Sequence, residues 1–129
     1  MTYITNKSGQ RDEVSLSFAD KVMLAVSKIP RGRVASYAAV AAAAGSPRAV
    51  RAVGNILHKN RDPVTCPCHR VVNIEGRLAP RFGMGGPAVQ KERLEAEGVP
   101  VSCCDDGYYV DIKRYGYSFV SEKTKKGEF

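Results

Sequence analysis

The sequence predicts a mainly helical α+β domain, winged-helix-like, built on a helix-turn-helix with a short C-terminal β-hairpin. Three observations carry this. Apolar residues recur at helical spacing in Phe18–Ile29 and again in Ala49–Leu57. Two short helical segments are separated only by a tight turn containing Gly45. Val64–Ile74 is β-rich, and Val99–Val101 and Tyr108–Ile112 can pair as a hairpin. At 129 residues, 43% hydrophobic and 26% charged, the chain has the composition of one ordinary globular domain.

The elements follow in order. Residues 1–15 are polar and read as a flexible leader, residues 16–120 as the domain, and residues 121–129 as a flexible tail. Ser17 with Asp20 three residues on makes a capping-box-like start, and Phe18, Val22, Ala25, Val26 and Ile29 then share one helical face. Pro30 and Gly32 end that helix. A second begins after Ser36, runs through the alanines and stops at Gly45. A third is expected at once, with Ser46 as N-cap and Pro47 at its first position. Its apolar face is Ala49, Val50, Val53, Ile56 and Leu57; its other face carries Arg48, Arg51, Asn55 and His58. Val64–Ile74 reads as a strand region. A loop rich in glycine and proline runs from Glu75 to Gly86. Pro87 opens a helix over Ala88–Glu97 that Gly98 ends. Val99–Val101 and Tyr108–Ile112 are expected to pair as the hairpin.

Charge narrows the partner. The formal net charge is +7, and no Asp or Glu occurs between Lys28 and Arg61, a stretch that holds seven Lys and Arg counting both ends. This favours a polyanion, nucleic acid before membrane, since no basic amphipathic stretch carries large exposed apolar residues. A merely basic surface is the bland alternative. No signal-peptide h-region and no apolar run of membrane-spanning length is present. The four cysteines, Cys66-x-Cys68 and Cys103-Cys104, make a poor disulfide framework, so reduced thiols in a cytosolic or nuclear setting are expected.

The most informative stretch is Pro67-Cys68-His69-Arg70-Val71-Val72. A thiolate is the reactive form of cysteine, and a neighbouring imidazole or positive potential favours it. Adjacency alone does not prove contact, because successive strand residues face opposite ways. A buried structural cysteine beside a solvated histidine remains the alternative. Cys66, Cys68 and His69 on one strand give poor tetrahedral geometry, so no metal is expected.

Taken together, Ile29-Pro-Arg-Gly-Arg-Val-Ala-Ser-Tyr37, Arg51-Ala-Val-Gly54, Asn60, Pro67-Cys-His-Arg-Val-Val72 and Glu97-Gly98 closely resemble the O6-alkylguanine-DNA alkyltransferases. The order and spacing of five motifs from Phe18 to Gly98 make the likeness specific. It implies a single-turnover DNA repair protein that moves an alkyl group from guanine O6 in duplex DNA onto its own cysteine. Cys68 would be the acceptor, His69 would deprotonate it through a water, and Glu97 would orient His69. Tyr37 would stabilise the leaving guanine, and Asn60 would brace the acceptor segment. The target atom lies inside the base stack, so the nucleotide must be flipped out. Arg51 maps onto the finger that fills the vacated place. Ser46 and His58 match other DNA-contacting positions on the same helix, and Arg48 lies on its basic face.

The resemblance covers the catalytic domain, so the zinc that some members carry elsewhere is not expected, nor any other cofactor. A monomer bound to alkylated double-stranded DNA is the expected working form. Arg77–Gly86 departs from the usual alkyl-pocket loop: Gly83 and Met84 stand where a tyrosine and a small residue are normal, with Phe82 nearby. The run Gln90-x-x-Arg93-Leu94-Glu95-Ala96-Glu97-Gly98 is similar to the alkyltransferase-like proteins, which bind alkylated DNA without chemistry and recruit other repair factors. Those proteins usually have Trp at the position of Cys68. A plain winged-helix regulator is a third reading, marked by sequence-specific binding without preference for a lesion.

Overall fold

The computed structural model describes residues 3–5, 11–13, 16–60, 62, 66–80, 82–83 and 85–119. Within the stretch read as a leader, β1 (Tyr3–Thr5) and β2 (Arg11–Glu13) pair antiparallel. The rest of that stretch and the expected tail 121–129 lie outside the described residues.

Helix α1 (Phe18–Ser27) starts as its capping box dictates: Asp20 N–H donates to Ser17 Oγ at 3.1 Å and Ser17 N–H to Asp20 Oδ2 at 3.3 Å. Val22, Ala25 and Val26 form its buried stripe, extended by Ile29 beyond its end. The chain then turns through Gly32, at φ +86°, into β3 (Ala35–Ser36). Ser36 is both the last strand residue and the N-cap of α2 (Tyr37–Ala43), accepting from Ala39 N–H at 3.0 Å.

α2 ends in a Schellman turn. Gly45, at φ +91°, donates to Ala42 C=O at 3.0 Å, and Ser46 N–H donates to Ala41 C=O at 2.9 Å. The third helix starts later than its sequence signals suggest. α3 runs Val50–His58 with Ala49 as N-cap, so Ser46 does not cap it and Pro47 is not its first residue. Ser46–Ala49 instead closes a turn, Ala49 N–H to Ser46 C=O at 2.9 Å. The helical ladder begins only when Val53 N–H reaches Ala49 C=O. Ser46 and Arg48 therefore lie in the turn before α3, not on it. Val53 and Leu57 are buried, Ile56 is half-buried, and Val50 is exposed.

The Pro67–Val72 motif is a second correction. Cys68–Arg70 forms a 3-10 turn, and only β4 (Val71–Val72) is strand. Cys68 N–H bonds Cys66 C=O and Arg70 N–H bonds Pro67 C=O, curling the chain before the valines extend it. β4 pairs parallel with β3, Ala35 against Val71 and Ser36 against Val72. That short pairing sets the first turn of α2 beside the cysteine turn.

α4 (Pro87–Ala96) opens with Pro87 as expected and ends in a second Schellman turn: Gly98 N–H to Glu95 C=O and Val99 N–H to Leu94 C=O, both at 3.0 Å. Leu94 and Val99 pack in one buried cluster with Val34, Val72, Leu78 and Val110. Val99 is thus consumed by the cap, and the hairpin forms further on than expected. β5 (Ser102–Cys104) pairs with β6 (Gly107–Tyr109) across the two-residue turn Asp105–Asp106. Ile112 belongs not to a strand but to a short helix, α5 (Ile112–Tyr115), capped by Asp111. The second buried cluster joins α1, α2 and α3 and includes Cys66 and Cys68.

Candidate active site

Cys68 lies in the wall of a cavity of about 410 Å³. Helix α3 supplies one side through Gly54, Asn55, Leu57 and His58. Asn73 to Gly83 supply the other through Arg77, Leu78, Ala79, Pro80 and Phe82. Tyr37, at the start of α2, closes the end beside the thiol. Met84 lies outside the described residues; Phe82 is buried.

The cysteine turn is held on several sides. Asn60 is buried, and its Nδ2 donates to Cys66 C=O at 2.8 Å while its Oδ1 accepts from Asp62 N–H at 3.1 Å. Arg70, the residue closing the turn, forks onto Glu97 with Nε to Oε1 at 2.9 Å and Nη2 to Oε2 at 2.7 Å. Its Nη1 donates to Ile29 C=O at 2.8 Å, tying the turn to the end of α1. His69 is buried, with Nε2 at 2.8 Å from Glu97 Oε2.

This arrangement fixes charge states. Burial alone would raise the pKa of Glu97. Hydrogen bonds from Arg70 and His69, and their charges, outweigh it and bring the carboxyl from 4.5 down to about 2. Burial lowers the His69 pKa below its ordinary 6.5, with Glu97 opposing, so the ring is neutral at neutral pH. A neutral imidazole that gives its Nε2 proton to a carboxylate keeps Nδ1 as its acceptor. That Nδ1 is buried and makes no hydrogen bond to the described residues. Burial, then the nearby Cys68, pushes the Tyr37 hydroxyl up to about 12, so it stays protonated and donates. The same two causes and Asp62 push the Cys66 thiol up to about 12. Cys66 therefore stays a thiol at neutral pH, packed 3.4 Å from the sulfur of Met23.

The expected DNA-facing residues are more dispersed. Arg51 and His58 stand two turns apart on one exposed stripe of α3, with Asn55 between them. His58 and Asn55 line the cavity; Arg51, exposed one turn before Asn55, is not among its lining residues. Arg48 is exposed and Ser46 half-buried in the preceding turn. Of the expected site residues, the structure gathers Tyr37, Cys68 and His58 around one cavity. Asn60, His69 and Glu97 stand behind it.

A family model, the DNA-binding domain of 6-O-methylguanine DNA methyltransferase, matches residues 17–99. The chain belongs to this family. It is 41% identical over 105 residues to the DNA base-flipping protein of Escherichia coli, covering 80% of this chain and 76% of that one. It is also 41% identical over 85 residues to the methylated-DNA–protein-cysteine methyltransferase of Mus musculus, 65% of this chain but only 40% of that protein. Among solved structures, Atl1 of S. pombe in complex with damaged DNA containing O6-carboxymethylguanine superposes with a TM-score of 0.72. The identity is 34%, over 78% of this chain and 94% of that one. The α+β architecture with its helix-turn-helix is the family's.

Two residues of the site were not singled out by sequence. Arg70 sits in the Pro67–Val72 motif and carries the fork on Glu97. Gln90 is fully buried and bonds to the cysteine turn and to the Asn73–Gly83 wall: Oε1 accepts from Ala79 N–H at 2.8 Å, and Nε2 donates to His69 C=O and Val71 C=O at 3.1 and 3.0 Å. A glutamine four residues before Leu94 and seven before Glu97 sits on the helix face that the pattern buries, and that was the available signal.

Proposed function

We propose that this protein takes the alkyl group from O6-alkylguanine in duplex DNA onto Cys68, in a single turnover, with the damaged nucleotide flipped into the cavity. One observation carries the reading: Cys68 lines a cavity backed by a buried, neutral His69 whose Nε2 is held by Glu97. The methyltransferase relative supports the transfer, and the base-flipping relative supports the flipped nucleotide.

The chemistry is an in-line displacement. The Cys68 proton passes through a water to His69 Nδ1, and Glu97 stabilises the imidazolium that forms. The S–C bond forms as the C–O6 bond breaks, and guanine leaves with the bonding pair. Tyr37, held protonated, donates a hydrogen bond to the departing base, which then takes up a proton. Arg51, exposed on α3, fills the place left in the stack. Ser46, Arg48 and His58 contact the backbone near it. Asn60 holds the acceptor turn.

A second reading has its own support. The overlap covers 76% of the base-flipping protein, and Atl1 superposes with a TM-score of 0.72, whereas the chain spans about 40% of the mouse methyltransferase. On that reading the protein binds the lesion without transfer. Intact-mass spectrometry after incubation with an O6-methylguanine duplex separates the two. Transfer adds one methylene mass to Cys68 and is lost in Cys68→Ala while DNA binding stays. An unchanged mass with tight lesion binding establishes the binding module. Label on Cys66 rejects Cys68 as the acceptor.

A further inference from the structure

We propose that Gln90 is a positioning residue for the transfer, setting the distance between the Cys68 sulfur and the carbon it attacks; this rests on the transfer reading. The amide is 0% exposed, and both of its donors and its acceptor are engaged. Its three partners fall on two separate segments. His69 and Val71 belong to the cysteine turn and the strand it enters. Ala79 belongs to the Asn73–Gly83 wall of the cavity.

The same face of α4 makes further contacts with both segments. Three residues on from Gln90, the Arg93 guanidinium lies 5.8 Å from the ring centroid of Phe82, another wall residue. Seven residues on, Glu97 holds His69 and Arg70. Helix α4 is therefore the plate on which the sulfur's turn and the substituent's wall are both mounted. Gln90 hydrogen-bonds to both.

Asn60 complements it. Asn60 takes Cys66 C=O, before the cysteine, and Gln90 takes His69 C=O and Val71 C=O, after it. The backbone around Cys68 is thus gripped by side-chain amides on both flanks. The second grip also reaches, through Ala79, the wall against which an O6-substituent would lie. In-line displacement needs the reacting atoms about 3–3.5 Å apart and aligned, and a misplacement of about 1 Å costs roughly a hundredfold. The link between turn and wall is that alignment.

Three measurements on the full chain test this. They are single-turnover transfer from an O6-methylguanine duplex, affinity for that duplex, and alkylation of Cys68 by iodoacetamide followed by mass. Gln90→Met keeps length and apolar bulk but none of the bonds. Gln90→Glu keeps the acceptor for Ala79 and loses the donors to the turn, and serves in the same way where Gln90→Met does not fold. Transfer should fall by about a hundredfold. Duplex affinity and iodoacetamide alkylation should stay near wild type, because a small mobile electrophile needs the thiol but not the wall. Unchanged transfer per folded molecule overturns the inference. So does an equal fall in transfer and iodoacetamide alkylation, which would make Gln90 a support of the thiol alone. A wild-type protein that transfers nothing overturns the transfer reading itself, and this inference with it.

Discussion

Glu97 Oε2 lies 2.8 Å from Nε2 of His69, although Glu97 is the C-cap of its helix, where a negative charge meets the negative end of the helix dipole. The Arg70 fork resolves the conflict. A guanidinium with two donors on one carboxylate outweighs a dipole interaction of about 0.3–1 kcal/mol. The Schellman turn at Gly98 fixes the backbone that carries Glu97, so the carboxylate reaches the imidazole from a rigid base.

The pairing makes stability depend on pH with a definite sign. The folded pKa of Glu97, about 2, is below its ordinary 4.5, so its contribution is fully present above pH 4.5 and is lost as pH falls towards 2. His69 is also depressed, below 6.5, so its contribution is present above pH 6.5 and begins to fade below it. Glu97→Gln should be less stable than wild type at neutral pH, and the gap should close between pH 4.5 and 2. Its thiol alkylation profile should move to higher pH, because the imidazolium loses its partner. Urea unfolding from neutral to acid pH and iodoacetamide rates against pH check this. Parallel stability curves with an unshifted profile would leave Glu97 without either role.

Much of this site was legible, for reasons that differ residue by residue. Ser17 with Asp20, Gly45 and Gly98 act through local backbone geometry, which short spacing encodes. Ser46 misleads because Ser-Pro also makes a turn, and which of the two forms depends on where the first i to i+4 bond closes. Cys68 reads as strand because two valines follow it. The 3-10 turn is held by Asn60 and Gln90 and, through Arg70, by Glu97 and Ile29, all outside the turn. The hairpin shifts because Val99 is spent on the cap of α4. Gln90 was hidden by its polarity: a buried amide is stable only when its bonds are made, and the partners are backbone groups that no residue pattern names.

The DNA face gives the next expectation. Binding should weaken as salt rises, through displacement of counterions by the Lys and Arg of the basic segment. Arg51→Lys keeps the charge and should keep that salt slope. It replaces a planar fork with a point charge, and transfer should slow by about tenfold or more. Titrations at several salt concentrations and single-turnover rates on one duplex read both effects. Equal rates would make Arg51 a surface charge only.

Gly54 supplies the last expectation. It lies inside α3, where glycine is destabilising by about 0.5–1 kcal/mol relative to alanine. It also lines the cavity, and a Cβ built on it meets nothing within 4 Å. A methyl there costs the protein no contact but stands where an entering base would approach the helix backbone. Gly54→Ala should therefore raise the melting temperature by about 4 °C. The same change should weaken lesion binding by about tenfold, as overpacking of a filled site does. The two effects pull in opposite directions, which distinguishes a glycine kept for access from one kept for the fold. Thermal unfolding and lesion-duplex titration of the one variant decide it. A variant that is more stable and binds the lesion as well as wild type would show that the base does not approach α3 at this point.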